Sequence, residues 1–234
     1  MKWNKKFNYT SLNRIPVNGS RHYAVGQQRL PSVSTILSKT RAAEDKAALA
    51  AWIARVGEKE SERIKNAASA NGTKMHSIIE TYLKNRENLD LLETEEEIGL
   101  AKQMADKIIS EGIQGKVNEV HGVECPIYYD SPKGWAGTAD LVATYESQLS
   151  ICDFKQKNSI MKESYSSYHE YMTQISGYSL AHDKLFGSTI TQGVILLATT
   201  DLVFQIFRID HEKLKEYQLK FLDRVEKYYY LISK

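Results

Sequence analysis

The sequence lacks the features of a membrane-spanning, secreted or disulfide-stabilised protein. No apolar run approaches the roughly 20 residues that a transmembrane helix needs, and no apolar segment follows the N-terminal lysines as it would in a secretory signal. Only two cysteines are present, Cys125 and Cys152, too few for an iron–sulfur cluster, which usually takes about four. We expect both thiols to stay reduced in a cytosolic compartment, and we expect no membrane partner.

Acidic residues are absent from residues 1–41. Residues 1–86 hold 16 Lys and Arg against 6 Asp and Glu, a charge of +10, whereas the remainder holds 15 against 23, a charge of −8. A basic first third joined to an acidic remainder favours a polyanionic partner held near an acidic site. On charge alone, a solvated basic face explains the asymmetry equally well.

The pattern of turn-forming and apolar residues predicts three regions. Residues 1–41 are a basic segment that Pro16, Gly19, Gly26 and Pro31 predict to be irregular. Residues 42–114 are predicted to be helical and 115–234 to form the core. These two regions are expected to make one compact domain. Within 42–114 we predict one helix that stops at Gly57 and a second that starts at Glu58 and breaks near Asn71-Gly72. The acidic stretch 87–100 reads as a loop that leads into a third helix, which ends near Gly112.

The core contains β-branched and aromatic stretches separated by short polar turns. The predicted order is α-α-α-β-β-β-α-β-β-α. This order indicates an α/β fold in which helices flank a mixed central β-sheet.

Two aspartates, in "GTAD" and "DFK", lie on neighbouring predicted strands. If Val142–Thr144 pairs with Leu149–Ile151 around the loop Tyr145–Gln148, Asp140 lies directly opposite Asp153. Opposed residues of an antiparallel pair share a face, and Lys155 joins that face because strand side chains alternate. The spacing therefore predicts a cluster of two carboxylates and one ammonium group.

Such carboxylates repel each other unless a cation lies between them. Oxygen ligands suit Mg²⁺ or Mn²⁺, ions that often also hold substrate phosphates. Lys155 is then suited to orient or deprotonate a water and to stabilise charge on a phosphate.

These motifs resemble the active-site core of the PD-(D/E)xK nuclease superfamily, whose restriction-endonuclease-like fold the resemblance implies. "GTKMHSIIE", "VECPIYY" and the Gln-x-x-x-Tyr of "QISGY" resemble further motifs of the RecB-type branch. "LPSVSTIL" is similar to a segment of the mitochondrial genome maintenance exonuclease family and its phage relatives. Ala139 departs from the superfamily pattern, which has Pro before the first aspartate.

The resemblance implies roles for individual residues, each beside a plainer structural reading. Asp140, Asp153 and Lys155 would be catalytic. Metal ligands would be Asp140, Asp153, His76, the Phe154 carbonyl and Glu124. Substrate contacts would come from Gln174, Tyr178, Ser32, Ser34, Thr35 and Lys74. In the plainer readings, His76 only pairs with Glu80 one turn along a helix, Glu124 is an ordinary edge-strand acid, Gln174 and Tyr178 only pack, and the hydroxyls of 32–35 only cap a helix. If His76 is a ligand, Glu80 is suited to orient it.

The expected function is that of a metal-dependent DNA exonuclease that hydrolyses phosphodiester bonds at single-stranded ends. Exonuclease action, single-strand preference and a 5′-phosphate product rest on the resemblance. The alternatives are a phage recombination-type exonuclease acting 5′–3′ on duplex ends, a DNA-binding protein with an inactive nuclease fold, and a phosphohydrolase with another substrate. We expect a monomer in a bacterial or phage-infected cytoplasm, or in mitochondria if the source is eukaryotic.

Overall fold

A computed structural model of the protein describes residues 1–84 and 99–234. Its strands are β1 (Lys2–Trp3), β2 (Asn13–Val17), β3 (Ser20–Val25), β4 (Gln28–Pro31), β5 (Val117–Tyr129), β6 (Trp135–Tyr145), β7 (Gln148–Lys157), β8 (Gln192–Thr199) and β9 (Phe204–Ile209). Its helices are α1 (Val33–Lys39), α2 (Ala43–Val56), α3 (Glu58–Lys84), α4 (Leu100–Lys107), α5 (Ser166–Phe186) and α6 (His211–Ile232). A π-helical turn, Ile108–Ile113, extends α4. None of the helices in these ranges is long and apolar enough to cross a membrane.

The predicted α/β fold is confirmed, with a mixed central β-sheet between two layers of helices. Six strands form this sheet in the order β1-β5-β6-β7-β8-β9. β5, β6 and β7 are antiparallel neighbours, whereas β7 and β8 are parallel and are joined through α5. The crossover is required because parallel strands cannot be connected by a tight turn. All of β8 is buried, so this strand lies at the centre of the fold.

Each face of the sheet has its own apolar core. On one face, residues of α1, α5 and α6, among them Ile36, Ile175 and Phe221, pack against the strands. On the other face the core comes from α3 and α4 and includes Met75 and Met104. The end of β7 thus lies between α3 and α5, and the two helices can both present side chains there.

The prediction that residues 1–41 are irregular is wrong over 13–31, which form three strands, and over 33–39, which form α1. β2, β3 and β4 form a three-stranded antiparallel sheet, and β1 pairs with β5 of the central sheet. Asn18 and Gly19 have φ of 48° and 70°, which forms the two-residue turn that joins paired Val17 and Ser20. Asn-Gly is the commonest signal for such a turn, so these residues build a hairpin and do not interrupt regular structure. The proposed region boundaries stay predictions.

The predicted break near Asn71-Gly72 is also wrong, because α3 is continuous from Glu58 to Lys84. A Cβ on Gly72 would lie 3.3 Å from Gln156 Nε2, and Gln156 donates a hydrogen bond to the Ala68 carbonyl. Gly72 therefore allows the end of β7 to approach the helix. The third helix ends where predicted, through the π-helical turn. The acidic loop predicted at 87–100 lies outside the described residues, apart from its last two positions.

Candidate active site

Glu124, Asp140 and Asp153 form one row of acids across β5, β6 and β7. The pairs Val123↔Leu141 and Cys125↔Ala139 bracket Glu124 and Asp140, so these two residues oppose each other. The predicted β6–β7 register is correct, because Leu141 pairs with Cys152 and Val142 with Ile151. The predicted four-residue loop is wrong, because Tyr145 and Gln148 also pair and only two residues form the turn. Continuing this register brings Asp140 opposite Asp153.

Asp140 bridges β6 and β7 at the point where their pairing stops. Its Oδ2 atom accepts a hydrogen bond of 2.8 Å from the Phe154 amide. Burial, followed by repulsion from Asp153, raises the pKa of Asp140 well above its usual range. The carboxyl group is thus fixed by the backbone of the next strand, but its negative charge is disfavoured.

Asp153 and Lys155 form a buried ion pair on the same face of β7. Asp153 is 1% exposed, and its Oδ2 atom makes no hydrogen bond of good geometry. The negative charge of Asp153 is therefore balanced by the Lys155 ammonium group. Burial opposes the charge on Lys155, but Asp153 and Asp140 outweigh that effect and raise its pKa. The Tyr171 ring of α5 lies 5.0 Å from Lys155 Nζ and also favours the cation. Lys155 is therefore a fixed positive charge in the site.

His76 of α3 enters the site from the opposite face of β7. Burial lowers the pKa of His76, which favours the neutral ring. Its Nε2 atom lies 2.9 Å from the Phe154 carbonyl, and a carbonyl can only accept, so Nε2 carries the proton. Nδ1 then carries a lone pair, 3.5 Å from Asp140 Oδ2. The Phe154 carbonyl, predicted as a metal ligand, is engaged by His76 in this structure.

Glu124 has a backbone conformation that is rare for a residue with a side chain. Its φ is 52°, in the left-handed region that favours glycine, and the paired residues on β5 and β6 skip it. Burial and the nearby Glu80 raise the pKa of Glu124, while Arg14 acts in the opposite direction. Glu80 forms an ion pair with Lys84, and its charge also acts on His76. Strained conformations of this kind concentrate at functional sites.

The arrangement of these acceptors fits a hard divalent cation. One ligand atom from each of His76, Glu124 and Asp140 lies within 4.8 Å of the others. The Nδ1 lone pair and the Asp140 carboxylate face each other as two acceptors, an arrangement that needs a cation or a proton between them. One imidazole and several carboxylates suit Mg²⁺ or Mn²⁺. Asp153, which the resemblance also implies as a ligand, lies outside this group of three and forms an ion pair with Lys155.

Gln174 and Tyr178 lie on α5 and reach the same cavity. Gln174 Nε2 donates to Tyr178 Oη at 3.0 Å. A Cβ on Gly137 would lie 2.6 Å from the Tyr178 ring, so Gly137 allows the ring to lie against β6. The two side chains thus form one hydrogen-bonded unit in the cavity wall.

The hydroxyls of residues 32–35 have different positions. Ser32 is the N-cap of α1, accepts from the Thr35 amide at 3.0 Å and also lines the cavity, as does exposed Ser34. Thr35 is buried and donates to the Arg21 carbonyl, so its role in the structure is to hold α1 against β3. Lys74 is exposed on α3 and is not among the cavity-lining residues of the described chain.

The cavity has a volume of about 410 Å³ and includes residues that the sequence did not indicate. Arg14, Arg21 and Tyr23 come from the three-stranded sheet, and Thr138 comes from β6 two residues before Asp140. The hairpin signal at Asn18-Gly19 could have revealed the strands that carry the arginines. Nothing local in the sequence places these strands over the acids.

Comparison with known proteins leaves the chain without an assigned family. No family model and no curated protein matches it. The chain is similar to a crystal structure of a "putative exonuclease" from Eubacterium rectale, with 15% identity and a TM-score of 0.43 over 69% of this chain and 66% of that one, slightly under two thirds of its length. It is also similar to a crystal structure of a protein named SSO0001, with 10% identity and a TM-score of 0.32 over 64% and 73%. At such identities and TM-scores, neither likeness assigns an activity.

Proposed function

We propose that this protein is a Mg²⁺- or Mn²⁺-dependent deoxyribonuclease of the PD-(D/E)xK type that acts on single-stranded DNA ends. The observation that carries the proposal is the convergence of His76, Glu124, Asp140, Asp153 and Lys155 in one cavity. The same cavity is also lined by Arg14 and Arg21, whose positive charges suit a polyanion. The preference for single strands and for ends rests on the resemblance of the sequence motifs.

The residues divide the work of phosphodiester hydrolysis. His76, Glu124 and Asp140 would hold a divalent cation, which activates water and neutralises phosphate charge when bound. Lys155 orients the attacking water and stabilises negative charge developing on the phosphate oxygens. Asp153 and Tyr171 keep the Lys155 ammonium charged and in place. Attack on phosphorus opposite the leaving 3′-oxygen gives a 5′-phosphate.

Cleavage of end-labelled single-stranded and duplex DNA, in Mg²⁺, Mn²⁺ or EDTA, tests this function. We expect wild type to cut in either metal and not in EDTA. Asp153→Ala and Lys155→Ala should lose at least about 100-fold in rate, the usual cost of removing a group that stabilises transition-state charge. The matched controls are Asp201→Ala and Lys215→Ala, which change exposed residues outside the cavity. Site variants that cut as fast as these controls would contradict the proposal.

The same assay separates the alternatives. Circular single-stranded DNA resists an exonuclease, and labelling each end in turn gives the polarity. Faster cutting of duplex ends by an oligomeric protein would favour the recombination-type exonuclease. Metal-independent DNA binding without cleavage would favour an inactive nuclease fold.

A further inference from the structure

Arg14 and Arg21 lie on the face of the three-stranded sheet that is turned towards the acid row. Arg14 pairs directly with Tyr23, and Arg21 lies two residues before Tyr23 on β3, so all three side chains share a face. All three line the cavity that also contains Asp140, Asp153 and Lys155. Arg29 of β4 pairs with Ala24 of β3, so it lies on the other face of the sheet and does not line that cavity.

Within the described residues, no carboxylate forms an ion pair with either guanidinium group, and both residues are exposed. Arg14 instead donates from Nη2 to the Thr138 hydroxyl at 3.4 Å and lies 6.0 Å from the centre of the Tyr23 ring. The Tyr23 hydroxyl also contacts Thr138 Oγ1, at 3.3 Å. These contacts hold Arg14 in the cavity without neutralising it.

The charge of the cavity explains why a polyanion needs these arginines. Its acids are Glu80, Glu124, Asp140 and Asp153, and the positive charge of Lys155 is already committed to Asp153. A strand entering this site would meet repulsion from the acids. The guanidinium groups of Arg14 and Arg21 in the same cavity offset this repulsion, and each can match a phosphate with paired N–H donors.

We infer that Arg14 and Arg21 form a phosphate-binding subsite that holds a phosphodiester of a single DNA strand next to the one at the acid row. Thr138 and Tyr23 orient Arg14 in this subsite, and Thr138 connects it to Asp140 along β6. The assignment of the ligand as a nucleic-acid strand rests on the proposed function. The positive subsite itself rests on the geometry of the sheet.

The test is binding of a fluorescein-labelled oligothymidylate to the full chain in Ca²⁺, measured by anisotropy over a range of salt concentrations. Each phosphate contact to a single strand contributes about 0.7 to the slope of log affinity against log salt. Arg14→Gln and Arg21→Gln should each reduce the slope by about 0.7 and weaken binding about tenfold, since each removes hydrogen bonds to a charged group. Arg29→Gln, the control on the opposite face, should leave both unchanged.

Two further variants test whether the positive charge of the subsite sets the salt dependence of binding. Arg14→Lys should restore the slope because it keeps the charge, and the Arg14→Gln/Arg21→Gln double variant should lose about 1.4 from it. Slopes equal to that of Arg29→Gln, or no measurable DNA binding by wild type, would overturn the subsite. Reduced slopes in a protein that cuts no DNA in Mg²⁺ or Mn²⁺ would keep the subsite and overturn the nuclease function. If wild type cuts DNA but the arginine variants show unchanged slopes, the nuclease function stands and the subsite is overturned.

Discussion

His76 Nδ1 lies 3.5 Å from Asp140 Oδ2 while His76 Nε2 donates to the Phe154 carbonyl. The neutral ring therefore presents a lone pair to a carboxylate. Two acceptors at this separation are stable together only when a cation or a proton lies between them, and Glu124 supplies a third ligand atom within 4.8 Å. The pair His76–Asp140 is thus the most sensitive place to test for a bound cation.

We expect Mn²⁺ to raise the melting temperature of wild type and to have little effect on Asp140→Asn. At a metal concentration about 100 times the dissociation constant, the stabilisation is about 2.7 kcal/mol, or roughly 5–10 °C for a chain of this size. The asparagine still accepts the Phe154 amide but lacks the charge. Differential scanning fluorimetry measures the shift. Asp106→Asn, at an exposed position of α4, is the control, and an equal shift in both variants would remove Asp140 from the ligand set.

We expect Lys155→Met to destabilise the metal-free protein more than the double change Asp153→Asn/Lys155→Met. The single change leaves Asp153, 1% exposed, as an unpaired buried charge, at a cost of about 3–5 kcal/mol. The double change removes both charges. Urea unfolding of wild type, both single variants and the double variant in EDTA gives the coupling energy, which should exceed about 1 kcal/mol. Additive effects would mean that the ion pair contributes nothing to the fold.

We expect Glu124→Gly to be more stable than Glu124→Gln by about 1 kcal/mol, since only glycine adopts a φ of 52° without strain. Both variants lose the carboxylate, so both should lose Mn²⁺ affinity. Because both variants lack the charge, the difference between their free energies of unfolding reports the backbone strain alone. Chemical denaturation measures these free energies. A glutamine variant as stable as the glycine variant would show that residue 124 carries no strain.

We expect stability to fall as the pH drops from about 6.5 to 4, because of His182. This residue is 0% exposed, and its ring is hydrogen-bonded to the hydroxyl groups of Tyr9 and Ser188. Burial lowers the pKa of His182 to about 4. A depressed histidine pKa contributes stability above the unfolded pKa of about 6.5, and this is lost as pH falls through the folded value. The loss is on the order of 3 kcal/mol. His182→Gln should flatten the pH profile of urea unfolding.

The sequence predicts the acid row better than it predicts its surroundings. The register of Asp140 and Asp153 follows from strand alternation and a short connection, which are local properties. The strain at Glu124 and the docking of Arg14 and Arg21 depend on contacts between residues far apart in the chain. No local pattern reports such contacts. Gly19, which the sequence suggests as a break, instead forms a hairpin turn with Asn18. That His76 and Glu124 bring ligand atoms close to Asp140 likewise depends on how α3 and β5 pack together.

The acids stand on three adjacent strands, where neighbouring backbones are separated by about 4.8 Å. The spacing of the carboxylates is therefore set by the sheet itself and is little affected by side-chain flexibility. Where the row crosses the sheet, the residue pairing skips Glu124 and Asp140 and ends before Asp153. A cation held there would link the three strands at the place where their residue pairing is interrupted. Loss of the ion should accordingly speed hydrogen exchange at the backbone amides of β5, β6 and β7 around the site first. The amides of the buried strand β8 should stay protected against exchange.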